Sequence, residues 1–326
     1  MNFDWNDLAF SDRKKNNISK LYSVFIAAPR DISIERITQL IKTYLPHQNI
    51  TFGFSKEQYV EGFEDQPQFK MLPKEKAQSL IDKVNSNTKE SRKIYTIDYF
   101  QRELPFILQD IDFTDVILVR GSWKKAFHTL PSYYILTKRK RSYTFVSPFV
   151  SEKEAHEYES EINHDIHSWL QRHMSNSYNE AAMLDLAHKS AKLSFDYIYQ
   201  TGVVIGRKAT PKSKKYSLLL GGYNKVVPYQ TYAMHHGNSR EDNFSPYNDL
   251  NHYDTVHAEV NLVLWALRKR KSLKGTTMFI NLMPCPTCAR MLTQTEIEEF
   301  VYQEDHSNGY AIEMLTAAGK KIRRVV

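Results

Sequence analysis

A chain of 326 residues, 41% hydrophobic and 25% charged, is long enough for two domains of ordinary size and has the balance of a globular protein. Its two cysteines exclude a disulfide framework and predict a reducing, cytoplasmic setting; no run of eighteen apolar residues predicts a membrane span, and the acidic, aromatic opening Met1-Asn2-Phe3-Asp4-Trp5 predicts no cleavable leader. The formal charge of +7 is spread over basic clusters at 138–141, 212–215, 268–271 and 320–324, too dispersed for one backbone-binding stripe, so nucleic acid is a possible partner but not the favoured one.

Residues 21–28 (LYSVFIAA) predict a buried strand that ends at Pro29-Arg30-Asp31. Ile34, Ile37, Leu40, Ile41 and Tyr44 recur at helical spacing, and residues 50–54 supply a second strand, which makes a β-α-β opening. Such a junction can hold an anion with help from Arg30, but the chain has no G-x-x-x-x-G-K-[ST] loop, and an ordinary turn is the plainer reading. A long loop over 62–73 and a helix over 75–84 follow, then strands at 93–97 and 115–119 (DVILV). Residues 133–137 and 143–149 read as an antiparallel edge pair across the charged turn 138–141. Arg120-Gly121-Ser122 reads as a surface loop anchored by Trp123, with a phosphate clasp as the alternative. Residues 1–150 are thus expected to form an α/β domain whose candidate roles are regulation and nucleotide binding.

Residues 151–174 predict a long helix with Tyr158, Ile162, Ile166, Leu170 and Met174 along one stripe, and 151–177 reads as a link between two domains. Glu161, His164 and His167 are spaced by threes, but no cysteine accompanies them, so they read as surface or packing residues. The second domain is expected over 178–326. Leu184, Ala187, Ala191 and Phe195 line a helix whose alanines permit close approach to a sheet. Residues 202–206 (GVVIG) and 216–220 (YSLLL) predict two strands, the second closed by Gly221-Gly222-Tyr223-Asn224. The segment 225–256 is long for a simple connection and is expected to rim a site, because it leads directly into His257.

The run 256–292 carries the chemistry. His257-Ala258-Glu259 opens a dense apolar helix, residues 276–282 (TTMFINL) predict a strand, and Pro284-Cys285-Pro286-Thr287-Cys288 opens another helix. Cysteines three apart project from one face of a helical turn, and a helix N-terminus favours thiolates, so Cys285 and Cys288 can meet one metal with His257. Three protein ligands leave a tetrahedral position on zinc for water, while Glu259 is badly placed as a ligand and well placed to take that water's proton. Hydrolytic deamination of a base follows from these roles. A structural zinc knuckle is the alternative; it needs a fourth ligand such as His252, because both cysteines of the chain are already used. Strands at 297–302 and 321–326 and a helix at 310–318 complete one central sheet covered by helices.

His257-Ala258-Glu259-Val260-Asn261-Leu262, residues 284–292 (PCPTCARML), Gly222-Tyr223-Asn224 and Val301-Tyr302-Gln303-Glu304-Asp305 resemble the cytidine deaminase-like superfamily, in particular its deoxycytidylate deaminase branch, over about residues 180–326. The resemblance implies a three-layer α/β/α domain with a mixed five-stranded sheet, zinc on His257, Cys285 and Cys288, and Glu259 as proton shuttle. It also implies substrate-binding roles for Asn224 and Asn261, assembly as a homo-oligomer, and conversion of the free nucleotide dCMP to dUMP with release of ammonia. A deaminase of single-stranded DNA or RNA and a catalytically inactive zinc-supported interaction module are the alternatives. The cysteine that commonly precedes the family's H-A-E is Val256 here, and a Gly-rich, Lys-containing loop found in kinase-like multidomain relatives does not occur.

Overall fold

Short runs of β-branched and aromatic residues build two six-stranded sheets covered by amphipathic helices, with a separate two-stranded pair beside them in sequence. The computed structural model describes residues 8–9, 22–87, 91–173, 176–239 and 254–325, without the side chains of 8–9 and 164–171. Two units divide the chain, one made of Met1–Tyr158 with Thr231–Tyr253 and the other of Glu159–Gln230 with Asp254–Val326.

In the first unit the elements run β1 (Leu8–Ala9), β2 (Ser23–Ala27), α1 (Ile34–Tyr44), β3 (Asn49–Ser55), α2 (Lys74–Asn85), β4 (Ile94–Tyr99), α3 (Leu104–Asp110), β5 (Asp115–Val119), α4 (Pro131–Lys138) and β6 (Tyr143–Val146), ending in the first turns of α5 (Glu152–His173). The sheet order is β1-β4-β3-β2-β5-β6, parallel from β4 through β6 with β1 antiparallel at the edge. Alternation assigns the two faces: Val24 and Ile26 pack with Ile37 and Ile41 of α1 and Ile81 of α2, whereas Phe25 between them stacks on Phe113 at 4.4 Å. Arg30, at the carboxyl end of β2, is fully buried. Its backbone N–H donates to Ser122 Oγ at 3.0 Å, and its guanidinium to the Gln68 carbonyl at 2.8 Å and the Tyr158 hydroxyl at 3.0 Å.

One expectation for this unit is corrected. Residues 133–137 lie in helix α4, not in a strand, and β6 pairs parallel with β5 (Val116 opposite Tyr143) instead of forming an antiparallel edge pair. Pro131 at the first helical position and the burial of Ser132 and Leu136, four apart, outweigh the strand-like composition of Tyr-Tyr-Ile-Leu-Thr. The charged turn closes the helix, with Lys140 at a φ of 53°.

The second unit contains the rest of α5, then β7 (Ser177–Asn179), α6 (Glu180–Ala191), β8 (Gly202–Lys208), β9 (Lys215–Tyr223) and β10 (Lys225–Val226). The chain then gives α7 (Tyr232–His236) to the first unit and returns through β11 (Thr255–Val256), α8 (Ala258–Arg268), β12 (Thr276–Leu282), α9 (Pro286–Thr293), β13 (Ile297–Glu304), α10 (Tyr310–Ala317) and β14 (Lys321–Arg324). Residues 240–253 of the long connection expected to rim the site lie outside the described residues. The mixed sheet has the order β14-β13-β12-β8-β9-β7, six strands where five were expected, because the three-residue β7 adds an antiparallel edge. One face carries Val203, Ile205, Met278, Ile280 and Phe300 against α8, α9 and α10; the residues between them, Val204, Phe279 and Val301, pack against α6. This is the three-layer α/β/α arrangement.

Helix α6 lies so close to β8 that a Cβ on Gly202 would stand 2.1 Å from the Ala187 carbonyl oxygen and 2.3 Å from the Ala191 nitrogen. Substituting Gly202→Ala therefore forces backbone apart, and a loss of about 1–3 kcal/mol or more in urea unfolding is expected. An unchanged unfolding midpoint would show that α6 can back away at no cost.

Candidate metal centre

Backbone pairing brings three distant segments to one point. Asn224 follows β9 directly, and the two-residue strands β10 and β11 pair antiparallel with Lys225 opposite Val256, so the chain that leaves at Val226 comes back beside itself. His257 is thereby delivered as the N-cap residue of α8, with extended backbone and its carbonyl accepting the Asn261 N–H at 2.9 Å. The side chain of Asn261 reaches back to donate to the Tyr223 carbonyl at 3.1 Å, tying the helix to the end of β9. From the other side, β12 carries the chain through Met283, whose N–H donates to the Glu304 carbonyl at 2.7 Å, into Cys285 at the N-cap of α9 with Pro286 in its first turn. Two helix N-termini thus point at the same place, each favouring negative charge there.

His257 Nδ1 lies 3.5 Å from Cys285 Sγ and 3.4 Å from Cys288 Sγ. All three potential ligand atoms fall within 4.8 Å of one another, the one such group of His, Cys, Asp or Glu among the described residues. A tetrahedral zinc held at about 2.3 Å by sulfur and about 2.05 Å by nitrogen spaces those atoms about 3.6 Å apart, so the observed separations match a zinc donor set with little movement. The hydrogen bond from Cys288 draws the Cys285 thiol down to about 3, and the same interaction pushes Cys288 up. The hydrogen bond to Cys285 raises His257 despite its burial.

Glu259 is 3% exposed in the first turn of α8. Burial pushes its carboxyl up to about 6, while its own N–H and the Cys288 thiol hydrogen-bond to it, which places the carboxyl beside the donor set. A carboxyl tuned toward neutrality at this position can take and return a proton.

Asn224, next after β9, is 4% exposed, and its amide faces inward. It donates to Asp196 Oδ2 at 3.0 Å and to the Tyr199 carbonyl at 2.8 Å, and accepts the Thr201 N–H at 2.9 Å. Asn281 at the end of β12 makes a second clip of the same kind, accepting the Gly202 N–H at 2.8 Å and donating to the Gln200 carbonyl at 3.0 Å. Sequence reasoning singles out neither Asn281 nor Asp196. The one signal for Asp196 is an Asp opening a short turn ahead of a strand, a pattern common to many loops.

Residues 169–304 match the family model described as the cytidine and deoxycytidylate deaminase zinc-binding region. This part of the chain is similar to the zinc-binding region of those deaminases. The deoxycytidylate deaminase of Enterobacteria phage T2 is 37% identical over 62 residues, which is 19% of this chain and 33% of the relative. The probable deoxycytidylate deaminase of Drosophila melanogaster is 28% identical over 116 residues, covering 36% of this chain and 54% of the relative. The chain therefore spans about a third to a half of these curated relatives. The dCMP deaminase of the cyanophage S-TIM5, solved in complex with dCMP and dUMP, is 18% identical and covers 45% of this chain and 96% of its own, with a TM-score of 0.36.

Replacing Cys288 with alanine is expected to take the metal content of zinc-reconstituted protein from near stoichiometric to near nil, and to lower its thermal midpoint, because binding energy here is partly folding energy. Elemental analysis and a melting curve on one preparation make the check; full zinc content in the variant would remove Cys288 from the donor set.

Proposed function

We propose that the C-terminal unit is a zinc-dependent hydrolytic deaminase that converts a free cytosine nucleotide, dCMP foremost, to the uracil nucleotide dUMP with release of ammonia. The observation that carries this reading is a three-atom donor set with a buried, upward-shifted carboxyl next to it that is not one of the three donors. His257, Cys285 and Cys288 would hold the zinc. When bound there it would supply a Lewis acid that lowers the pKa of a water molecule.

The remaining work falls to the chain. Glu259 accepts one proton of the attacking water and passes it to N3 of the cytosine ring as the hydroxyl bonds to C4; it then takes the second proton from that hydroxyl and delivers it to the departing amine, so that C4 becomes a carbonyl and ammonia leaves. Burial of Glu259 keeps that proton from leaking to solvent between the two transfers. The deoxycytidylate deaminases among the relatives support a nucleotide as substrate, and Cys285 and Cys288, both free thiols, support a reducing, cytoplasmic setting. Homo-oligomeric assembly goes with the same reading, and no helix among the described residues is long and apolar enough to cross a membrane.

Glu259→Gln keeps the shape and removes the proton acceptor. Zinc content should stay at the wild-type level while ammonia release from dCMP falls by about 100- to 10,000-fold. Turnover near wild type in this variant, once loaded with zinc, would eliminate the shuttle. Substrate class is read by competing cytidine, CMP, dCMP, dCTP and a single-stranded oligodeoxynucleotide, scoring the one-dalton gain of amine-to-carbonyl conversion by mass; dCMP is expected to win. Preferential conversion within the oligonucleotide would replace the free-nucleotide assignment with polynucleotide editing.

A further inference from the structure

The loop between α6 and β8 is built around one carboxylate. Asp196 Oδ1 accepts the N–H groups of Ile198 at 2.7 Å and Tyr199 at 3.2 Å, which is what a side-chain-capped turn requires. Two further bonds exceed that requirement. Oδ2 accepts from Asn224 Nδ2 at 3.0 Å, 28 residues away at the end of β9, and the Thr255 hydroxyl also donates to the carboxylate. Thr255 lies in β11, two residues ahead of the ligand His257. One side chain therefore joins its own turn, the end of β9 and the strand that delivers the metal-binding histidine.

The bond to Asn224 also settles which way that amide points. Both of its N–H groups are spent, on Asp196 and on the Tyr199 carbonyl, and one acceptor position of Oδ1 is spent on Thr201 N–H. What remains is a single lone pair on Oδ1. Asp196 makes the reverse orientation unfavourable, since a carboxylate beside the amide oxygen would set two acceptors against each other.

We propose that Asp196 is a positioning residue of the metal centre, fixing the Asn224 amide and, through Thr255, the placement of the His257 imidazole before metal binds. The proposal rests on the reading of His257, Cys285 and Cys288 as zinc ligands. Groups that hydrogen-bond a metal's ligands set ligand orientation and affinity, and their loss costs about 10–100-fold in metal affinity or activity; Asp196 reaches His257 through Thr255 and the backbone of β11, and that range sets the scale for its loss.

The test uses the full chain and the variant Asp196→Asn. Asn retains Oδ1 for Ile198 and Tyr199 but turns an NH2 toward the NH2 of Asn224, donor against donor. Zinc affinity is measured by competition with a chromophoric chelator, folding by circular dichroism and urea, and kinetics with dCMP at saturating zinc. The expected result is an intact fold, a fall of about 10–100-fold in zinc affinity, and a KM for dCMP that rises more than kcat falls. A folded variant with wild-type zinc affinity and KM overturns the role of Asp196 and leaves the deaminase reading standing. Conversely, a wild-type chain that binds zinc and deaminates nothing sinks the deaminase reading, while the zinc comparison still decides Asp196. If Asp196→Asn does not fold, Thr255→Val removes only the hydroxyl that reaches Asp196. Weaker zinc binding in that variant supports the proposal, and unchanged affinity overturns it.

Discussion

The separation of His257 Nδ1 from two sulfurs, 3.4 and 3.5 Å, is the constraint that the rest of the C-terminal unit serves. It can be met only if two helices begin at the same point, and helices begin where strands release them. Strand β12 must end level with β13, which the parallel register from Thr276 opposite Ile297 to Leu282 opposite Glu304 secures. On the other side β11 must reach the end of β9, and two residues of antiparallel pairing with β10 do this. The close seat of α6 on Gly202 then fixes β8 between β12 and β9, so that the two delivering strands stay in register. A donor set of three side chains is in this sense a property of the whole sheet.

What is readable in the sequence is what is local. The spacing of Cys285 and Cys288, the adjacency of His257 and Glu259, and the alternation in 202–206 and 276–282 each lie within a few residues, where periodicity and capping rules apply directly. Helix α4 reads as a strand because Tyr133 to Thr137 have strand-like composition, while the decisive features are Pro131 before them and the burial of Leu136 against the rest of the unit. Asp196 escapes notice for a different reason. Its partners Asn224 and Thr255 are 28 and 59 residues away, and nothing in the local pattern announces them. Asn224 shows the limit from the other direction: its residue type declares two donors and an acceptor, but only the fold tells that both donors are turned inward.

The first unit is an α/β layer, parallel but for its edge strand β1, whose chain is not continuous. Helix α7, from the connection between β10 and β11, belongs to it: Thr231 Oγ1 donates to the Ala155 carbonyl at 3.0 Å, and His235 Nδ1 is 2.6 Å from Ser147 Oγ just past β6. Neither contact survives a cut made after β6, since α7 would be lost with the downstream chain. The length of the connection, which reads as a loop in sequence, has a structural use in supplying an element to another unit. It also means that the chain enters the first unit and leaves it within the thirty residues before His257.

Charge explains why such a donor set calls for a dication. Cys285, Cys288 and Glu259 are three acidic groups in a largely buried space, and each resists the ionisation of its neighbours: the Cys285 charge raises Glu259, and the Glu259 charge raises Cys288. Hydrogen bonding from Cys288 lets Cys285 ionise first, and His257 is drawn toward its cationic form as a partial counterion. Two positive charges brought to the sulfurs would let both thiolates form and free the imidazole to be neutral, the state in which it can act as a ligand. Glu259 is then the one group of the four whose proton is not displaced by ligation. Its proximity to the sulfurs, with burial that pushes its carboxyl up to about 6, is what the proposed proton transfer would need and what a site that only holds a metal would not.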